Sequence, residues 1–441
     1  MALKFYNSLA KKVEEFKPLA PGRAKLYTCG PTVYDFAHIG NFRAYMFEDL
    51  LRRTLEYCGY QVTQVMNLTD VDDKTIRNSI QAETALDEYT AKYKKAFFED
   101  LNTLRIEPAE HYPAATDHID DMIKLVQTLL EKGYAYVADD KSVYFSITKF
   151  ENYGQLVNID PEKMRSSERI SSDEYAKESV ADFALWKAHS EADGDVKWDS
   201  PWGPGRPGWH IECSAMSMRY LGRTFDIHTG GSDNMFPHHE DEIAQSEAAN
   251  GCQFVRYWLH CAHLIVEGKK MSKSLGNFFT LRELLDKGYT GRELRWVLLA
   301  THYRQPLNFT FQGCDDARAS LRRLDDLTER LHDAARGEDT ANETLEKLID
   351  TQMQEFRQGL EDDLNISAAL AGLFGLVKGL NKELGNDAIA GQDADKALDA
   401  LRDIDRVLGI IDVDESKQEA EIPESVVARV QERQDARKSK D

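Results

Sequence analysis

CGPTVYDFAHIGN, residues 29–41, joins a predicted strand to a predicted helix and decides the fold class of this 441-residue chain. Residues 24–29 (AKLYTC) have the composition of a short strand, and apolar side chains recur at helical spacing over 41–58. Residues 61–69 (QVTQVMNLT) predict a second, buried strand. The order strand, helix, strand indicates a right-handed parallel unit.

The turn before this helix is a candidate nucleotide site. Ligands of open parallel sheets bind where strand ends meet helix N-termini, and free backbone N–H groups there attract phosphate. Gly40 would allow close approach of a nucleotide to the backbone, and His38 could donate to phosphate oxygens. The same residues also suit a plain helix-initiating turn, so this motif alone does not establish a function.

A second candidate element is GKKMSKSLGN, residues 268–277, with three lysines and two serines between glycines. Such a loop can close over a polyphosphate, and lysine there would offset charge on the α-phosphate and on leaving pyrophosphate. A solvated basic turn has the same composition, so this motif is also insufficient when considered alone.

Together the two motifs resemble the two signatures of class I aminoacyl-tRNA synthetases. The match over Lys270–Ser274 is complete, whereas Asn41 stands where that family usually has a second histidine. Asparagine keeps a hydrogen-bonding side chain but cannot carry charge. The resemblance implies a set of ATP-binding residues, namely His38, Gly40, Asn41, Lys270 and Lys273. Of these, it implies catalytic roles for His38, Asn41, Lys270 and Lys273.

The rest of the chain predicts a split α/β domain followed by helices. Helices are predicted at 84–104 and 116–132, and a β-hairpin at 134–147. A second α/β half follows, with a helix at 209–221, a strand at 225–229, a helix at 237–249 and a strand at 257–266. Apolar periodicity then predicts helices at 313–335, 341–361, 365–384 and 394–409.

The predicted fold is therefore α/β: a Rossmann-like, doubly wound parallel sheet, split by an insertion and followed by an all-α C-terminal domain. The expected boundaries are 1–115 for the first half of the catalytic domain, 116–201 for the insertion, 202–265 for the second half, 266–311 for the signature loop and linking helices, and 312–441 for a helical domain on the tRNA side.

Metal-ligating residue types gather at predicted element ends. Zinc prefers Cys and His, sometimes with a carboxylate, usually four in all. Cys29 ends the first strand, and Cys213 lies in the predicted helix of the second half. In PHHEDE, residues 237–242, either histidine can share a helix face with Glu242. Spacing does not choose between the two histidines, and it leaves His210 open as a partner of Cys213.

The runs CGPTVYD, NLTDVDDK, PGWHIECSAM, FDIHTGGSD and FPHHEDEIAQS resemble the cysteinyl-tRNA synthetase family over most of residues 1–310. The resemblance implies one zinc ion, with the ligands Cys29, Cys213, His238 and Glu242. It also implies a pocket for the amino and carboxylate groups of cysteine, lined by Thr69, Trp209, His228 and Asp233. We expect Mg²⁺ to arrive with ATP, and we interpret the acidic cluster Asp70, Asp72 and Asp73 as helix N-capping.

Zinc would explain how this amino acid is recognised. Cysteine and serine differ by one atom, and a pocket that relies on shape discriminates such near-isosteres by roughly 10²-fold. Zinc prefers the soft thiolate over a hydroxyl. The expected reaction is ATP-dependent activation of L-cysteine to cysteinyl-adenylate, followed by transfer to the 3′-terminal ribose of tRNA(Cys).

Composition limits the alternatives. The formal net charge of −21 argues against broad, non-specific nucleic-acid binding, so an RNA partner must meet local basic patches. Six scattered cysteines, no apolar run of membrane-spanning length and no signal-peptide pattern favour a cytoplasmic protein with no membrane partner. We expect a monomer from the family resemblance. The positively charged residues 429–440 could meet RNA.

Two rival functions remain at this stage. One is a ligase on the same scaffold that joins cysteine to an amino-sugar in mycothiol synthesis, which would not need the long helical C-terminal region. The other is a non-catalytic RNA-binding paralogue, which would be expected to lack the lysines or the metal ligands.

Overall fold

The computed structural model describes residues 2–158 and 182–414. The basic segment 429–440 and part of the predicted insertion lie outside the described residues.

The predicted helices and strands occur in the predicted order. Residues 4–131 contain β1 (Lys4–Asn7), β2 (Lys12–Glu15), β3 (Arg23–Thr28), α1 (Ile39–Tyr57), β4 (Gln61–Met66), α2 (Asp73–Gln81), α3 (Leu86–Thr103) and α4 (Ile119–Glu131). Of these, the structure adds β1, β2 and α2, which the sequence did not predict. Residues 135–207 contain β5 (Ala135–Val137), β6 (Val143–Phe145), β7 (Phe183–Ala188) and β8 (Gly205–Pro207), so the predicted insertion, 116–201, would include α4 and end before β8.

The second half contains α5 (Trp209–Leu221), β9 (Phe225–Gly231), α6 (Glu240–Asn250), β10 (Val255–Cys261), β11 (Leu264–Val266), β12 (Lys269–Lys270), α7 (Leu281–Asp286), α8 (Gly291–Leu299) and β13 (Leu307–Phe309). The C-terminal helices are α9 (Phe311–Ala335), α10 (Glu343–Glu361), α11 (Ile366–Gly385) and α12 (Gln392–Leu408).

The central sheet confirms the predicted fold class. Its four strands are parallel and lie in the order β10-β9-β3-β4, so the two halves of the domain meet between β9 and β3. Strands β5 to β8 form a separate antiparallel sheet, which includes the predicted hairpin. The carboxyl ends of β3 and β9 therefore lie side by side at the point where the two halves join.

One predicted strand was wrong. Residues 257–266 do not form a single strand, because β10 ends at Cys261 and β11 belongs to another sheet, between β12 and β13. The backbone turns away at Ala262, whose N–H donates to the carbonyl of Tyr303. Apolar residues lie on both sides of the bend because both strands are largely buried, so hydrophobicity did not reveal the break.

Buried arginines join the C-terminal helices to the catalytic domain. Arg295 on α8 is fully buried, and its guanidinium donates to Leu408 O (2.6 Å), Leu104 O (2.9 Å) and Asp49 Oδ2 (2.6 Å). Four segments thus share one cation: α1, α8, the end of α3 and the end of α12. A buried charge is tolerated when it is paired and hydrogen-bonded in this way.

The glycine after α12 tests this junction. Gly409 has φ +62°, and a Cβ there would lie 2.9 Å from Arg295 Nε. Gly409→Ala should destabilise the protein by about 1–2 kcal/mol for the left-handed backbone and by about 1–3 kcal/mol more for displacing the guanidinium. Gly251→Ala is the matched control, since Gly251 also ends a helix at φ +68° but has open space around its Cβ position. Urea unfolding of both variants measures the difference, and equal losses would contradict the role of Arg295.

Candidate active site and metal centre

The first signature caps α1. The Nδ1 atom of His38 accepts from the backbone N–H of Asn41 (3.2 Å), and Asn41 Oδ1 accepts from the backbone N–H of His38 (3.1 Å). This reciprocal arrangement is a capping box, which satisfies two otherwise unpaired N–H groups. Asn41 is thus accounted for by its role in the helix cap. The cap bond places the proton of a neutral His38 ring on Nε2.

Burial keeps His38 neutral near pH 7, because it lowers the pKa of the ring to about 4. A neutral ring whose Nδ1 accepts the cap bond presents Nε2–H as a hydrogen-bond donor. The arrangement can therefore donate to an anionic ligand without requiring a protonated imidazole.

The lysine loop packs directly on this cap. The N–H of Ile39 donates to the carbonyl of Phe279 (3.0 Å), and the Phe278 ring meets the His38 ring edge-on at 4.9 Å. A Cβ on Gly40 would lie 3.0 Å from the Met271 methyl group, so glycine permits the loop to approach. The structure thus brings together the two motifs that the sequence separates by more than 200 residues.

Cys29, Cys213, His238 and Glu242 converge at the carboxyl end of the sheet. All four are buried, and one potential ligand atom from each lies within 4.8 Å of the others. An overlapping set, Cys29, His228, His239 and Glu242, meets the same criterion. The first set offers two sulfurs, a nitrogen and a carboxylate oxygen, which are ligand atoms that suit zinc.

Hydrogen bonds favour the set that contains His238. The Nε2 atom of His228 lies 2.9 Å from Glu242 Oε2 and is engaged there. The other oxygen, Glu242 Oε1, is buried without a hydrogen bond among the described residues and lies 3.1 Å from His238 Nε2. A cation between these two atoms would satisfy both, whereas binding to His228 would first break its bond to Glu242. These contacts support His238 as the ligand, which spacing alone could not select.

Two further groups of residues contact the candidate zinc ligands, one that begins with His239 and one that begins with His210. His239 lies 3.2 Å from Cys29 Sγ and 2.8 Å from His260, which in turn lies 2.8 Å from Ser8 Oγ. Such outer partners orient ligand side chains and fix histidine tautomers.

On the opposite side, His210 Nδ1 lies 2.8 Å from His238 Nδ1, and its Nε2 lies 3.3 Å from Asp241. Asp241 in turn accepts from the hydroxyl of Tyr153. Sequence reasoning left His210 open as a partner of Cys213, whereas the structure places it behind His238. The contacts of His260, Asp241 and Tyr153 were not predicted from the sequence, because none of these residues belongs to a motif.

The four residues expected to hold cysteine lie in different environments. Trp209 is 44% exposed and stacks on the His238 ring at 4.2 Å, so it forms the outer wall. Thr69 is buried and donates to Glu212 Oε2 (2.9 Å), a carboxyl group that the sequence did not single out. His228 is bonded to Glu242, and Asp233 lies close enough to raise the pKa of His38, although burial of that ring outweighs the effect.

The acidic cluster is structural, but only Asp72 acts as the helix N-cap that the sequence predicts for the cluster. Asp72 caps α2 by accepting from the N–H groups of Lys74 (2.9 Å) and Thr75 (2.7 Å). Asp70 accepts from Thr116, and Asp73 pairs with basic side chains of the insertion sheet. These carboxylates are therefore accounted for by protein partners.

Comparisons with known proteins agree with this geometry. Residues 15–319 match the family model described as tRNA synthetases class I (C) catalytic domain, and residues 355–412 match the DALR domain. The cysteine–tRNA ligase of Protochlamydia amoebophila is 51% identical over 99% of this chain and 91% of its own length. That of Brachyspira hyodysenteriae is 54% identical over 92% of this chain and 85% of its own. The chain belongs to the cysteine–tRNA ligase family.

Solved structures resemble this family member in fold. A methionyl-tRNA synthetase of Mycobacterium tuberculosis superposes with a TM-score of 0.66, at 13% identity over 88% of this chain and 92% of its own. A LeuRS from Agrobacterium radiobacter gives a TM-score of 0.63, at 13% identity over 90% and 84%. Among the described residues, no helix combines the length and apolarity needed to cross a membrane.

The buried histidines should make stability fall with acid. Burial lowers the pKa of His210 and of His260 to about 3, below the usual value of about 6.5. The folded state therefore favours the neutral rings, so their contribution is present above pH 6.5 and is lost as pH falls towards 3. Each ring can contribute up to about 1.4 kcal/mol per pH unit in this window. Urea midpoints at pH 7, 6 and 5 should decline less steeply for His260→Asn than for the parent, and parallel slopes would contradict the assignment.

Proposed function

We propose that this chain is a cysteine–tRNA ligase that activates L-cysteine with ATP and transfers it to the 3′-terminal ribose of tRNA(Cys). The observation that carries the proposal is the buried cluster of Cys29, Cys213, His238 and Glu242 beside the capped start of α1. Full-length similarity to relatives named cysteine–tRNA ligases supports the same reaction.

The donor set fits one zinc ion, with Cys29, Cys213, His238 and Glu242 as ligands. Burial lowers the pKa of His238 to about 3, so the ring is neutral at pH 7 and one of its two nitrogens is free to bind a metal ion. The pKa of the Cys29 thiol is raised, first by its hydrogen bond to Cys213 and then by burial, so a cation is needed to favour the thiolate. Zinc, when bound, would favour the thiolate of the substrate over the hydroxyl of serine.

His38, Lys270 and Lys273 would act on ATP. The Nε2–H group of His38 donates to phosphate oxygen, and the two lysines offset the charge that develops on the α-phosphate and on pyrophosphate. Mg²⁺ would arrive with ATP. The cysteine carboxylate attacks the α-phosphate and displaces pyrophosphate, which gives cysteinyl-adenylate. The amino acid would be held in place by Thr69, Trp209, His228 and Asp233.

The second step transfers cysteine from the adenylate to tRNA, by attack of the terminal 2′-OH. The helical region α9–α12 includes the DALR match at 355–412. It would bind a part of the tRNA that lies at a distance from the catalytic site. Positioning and electrostatics account for the chemistry without a dedicated general base. A monomeric state and a cytoplasmic location stay predictions.

Replacing one sulfur ligand tests the metal assignment. Cys213→Ala should remove zinc and reduce cysteine-dependent ATP–pyrophosphate exchange by at least about 10²-fold, because the substrate sulfur loses its partner. Cys314→Ala is the control, since Cys314 is buried in α9 and is absent from the ligand cluster. Zinc content and exchange rate are measured for both variants. A stoichiometry of one zinc in Cys213→Ala would exclude this ligand set.

Replacing a loop lysine tests the transition-state role. Lys273→Ala should lower the rate of activation by about 10²-fold while cysteine binding changes little, because the charge that it stabilises develops only in the transition state. Single-turnover adenylate formation separates the two quantities. A large loss of cysteine affinity at an unchanged rate would contradict the role.

The acceptor decides between the rival ligases. Purified protein with radiolabelled cysteine and ATP should charge tRNA(Cys) and leave an amino-sugar acceptor unmodified. Labelling of the sugar alone would favour the mycothiol-type reaction. Absence of pyrophosphate exchange in a zinc-loaded sample would instead favour the non-catalytic paralogue.

A further inference from the structure

Asp35 lies on the turn between β3 and α1, three residues before His38, and it faces the lysine loop. Its Oδ2 atom lies 3.1 Å from Lys273 Nζ, and its Oδ1 atom accepts from the N–H of Phe36 (2.9 Å). The turn itself therefore orients the carboxylate, and one oxygen is left for the lysine. This ion pair joins the two signature segments.

The ammonium group of Lys273 has a second neighbour on its own loop. It lies 5.0 Å from the centre of the Phe278 ring, which contacts the His38 ring. Lys270, by contrast, is exposed and has no ion-pair partner within residues 2–158 and 182–414. The two lysines of the signature thus start from different states, because Lys273 has an ion-pair partner and Lys270 has none among the described residues.

The ion pair between Asp35 and Lys273 is weak. The two side chains are 68% and 42% exposed, and ion pairs between exposed, flexible side chains are screened by water and salt. A triphosphate brings several negative charges to the same place and can compete for the ammonium group. We propose that Asp35 is the resting partner of Lys273, holding it beside His38 in the free enzyme and releasing it to the triphosphate of ATP.

The inference rests on the proposed role of Lys273 in ATP activation. Asp35 does not touch the reacting atoms and acts only through Lys273, so it is a positioning residue. Any free energy that holds Lys273 on Asp35 is subtracted from ATP binding, as for any ligand that must displace an internal competitor. The pair consequently opposes ATP binding slightly, and it keeps the loop ordered until ATP arrives.

Asp35→Asn tests this competition. Asparagine keeps the shape and the oxygen that accepts from Phe36 N–H, but it removes the charge that holds Lys273. ATP–pyrophosphate exchange should show a KM for ATP lowered by about two- to fivefold, the range expected for an exposed ion pair. The KM for cysteine and the zinc content should not change. The effect should shrink as ionic strength rises.

A double-mutant cycle separates release of Lys273 from simple repulsion between Asp35 and ATP. In a Lys273→Ala background, Asp35→Asn should leave the KM for ATP unchanged, because there is no lysine to release. The same two- to fivefold gain in that background would show repulsion alone and overturn the proposal. Asp399→Asn removes another exposed, paired carboxylate on α12, 2.6 Å from Arg402, and should not alter the KM.

Other outcomes of Asp35→Asn also decide against the proposal. An unchanged or raised KM for ATP would overturn it, and so would a loss of kcat at unchanged KM, which would mean that Asp35 holds the lysine in its working position. A wrong assignment of Lys273 itself would be recognised by a different result. Full adenylate formation by Lys273→Ala alone would exclude the proposed role of that lysine.

Discussion

The arrangement of the described structure depends on the hydrogen bonds that the buried guanidinium group of Arg295 makes. It is fully buried and bonded to groups from α1, the end of α3 and the end of α12. Loss of the Asp49 carboxylate would leave a buried cation without its counter-charge, which typically costs about 3–5 kcal/mol. The C-terminal helices are therefore fixed to the catalytic domain by a charge as well as by the apolar core that both share.

Helix α1 carries this constraint to the nucleotide site. Its Asp49 binds Arg295, and its Arg43 donates to the carbonyls of Leu298 (2.6 Å) in the last turn of α8 and of Thr301 (2.9 Å) just after that helix. Its first turn is the capping box of His38, on which the lysine loop packs. The position of His38 is thus set by the same helix that binds the C-terminal region. A shift of that region would have to move α1 or break these buried bonds.

Sequence could predict the parts whose physics is local. The long C-terminal helices were found within two residues of their ends, because amphipathic periodicity persists over several turns. Helix α5 was also found, whereas the break between β10 and β11 was missed because both strands are buried. Arg295 could not be singled out, since its partners lie up to 246 residues away and an arginine in a helix ordinarily faces water. The same limit applies to His238: spacing allowed either histidine, and only the three-dimensional placement of His228 against Glu242 supports one of them.

The metal centre and the nucleotide site meet because of where the two halves of the sheet join. Cys29 follows β3, and His238 and Glu242 follow β9, so the neighbouring ends of these parallel strands bring the ligands together. His38 lies nine residues beyond Cys29 on the same turn. An amino acid held by its sulfur at this centre would therefore lie close to the phosphates bound at the start of α1. In the proposed reaction, recognition of the side chain and activation of the carboxylate would thus depend on one short connection, residues 29–41, whose length sets the distance between them.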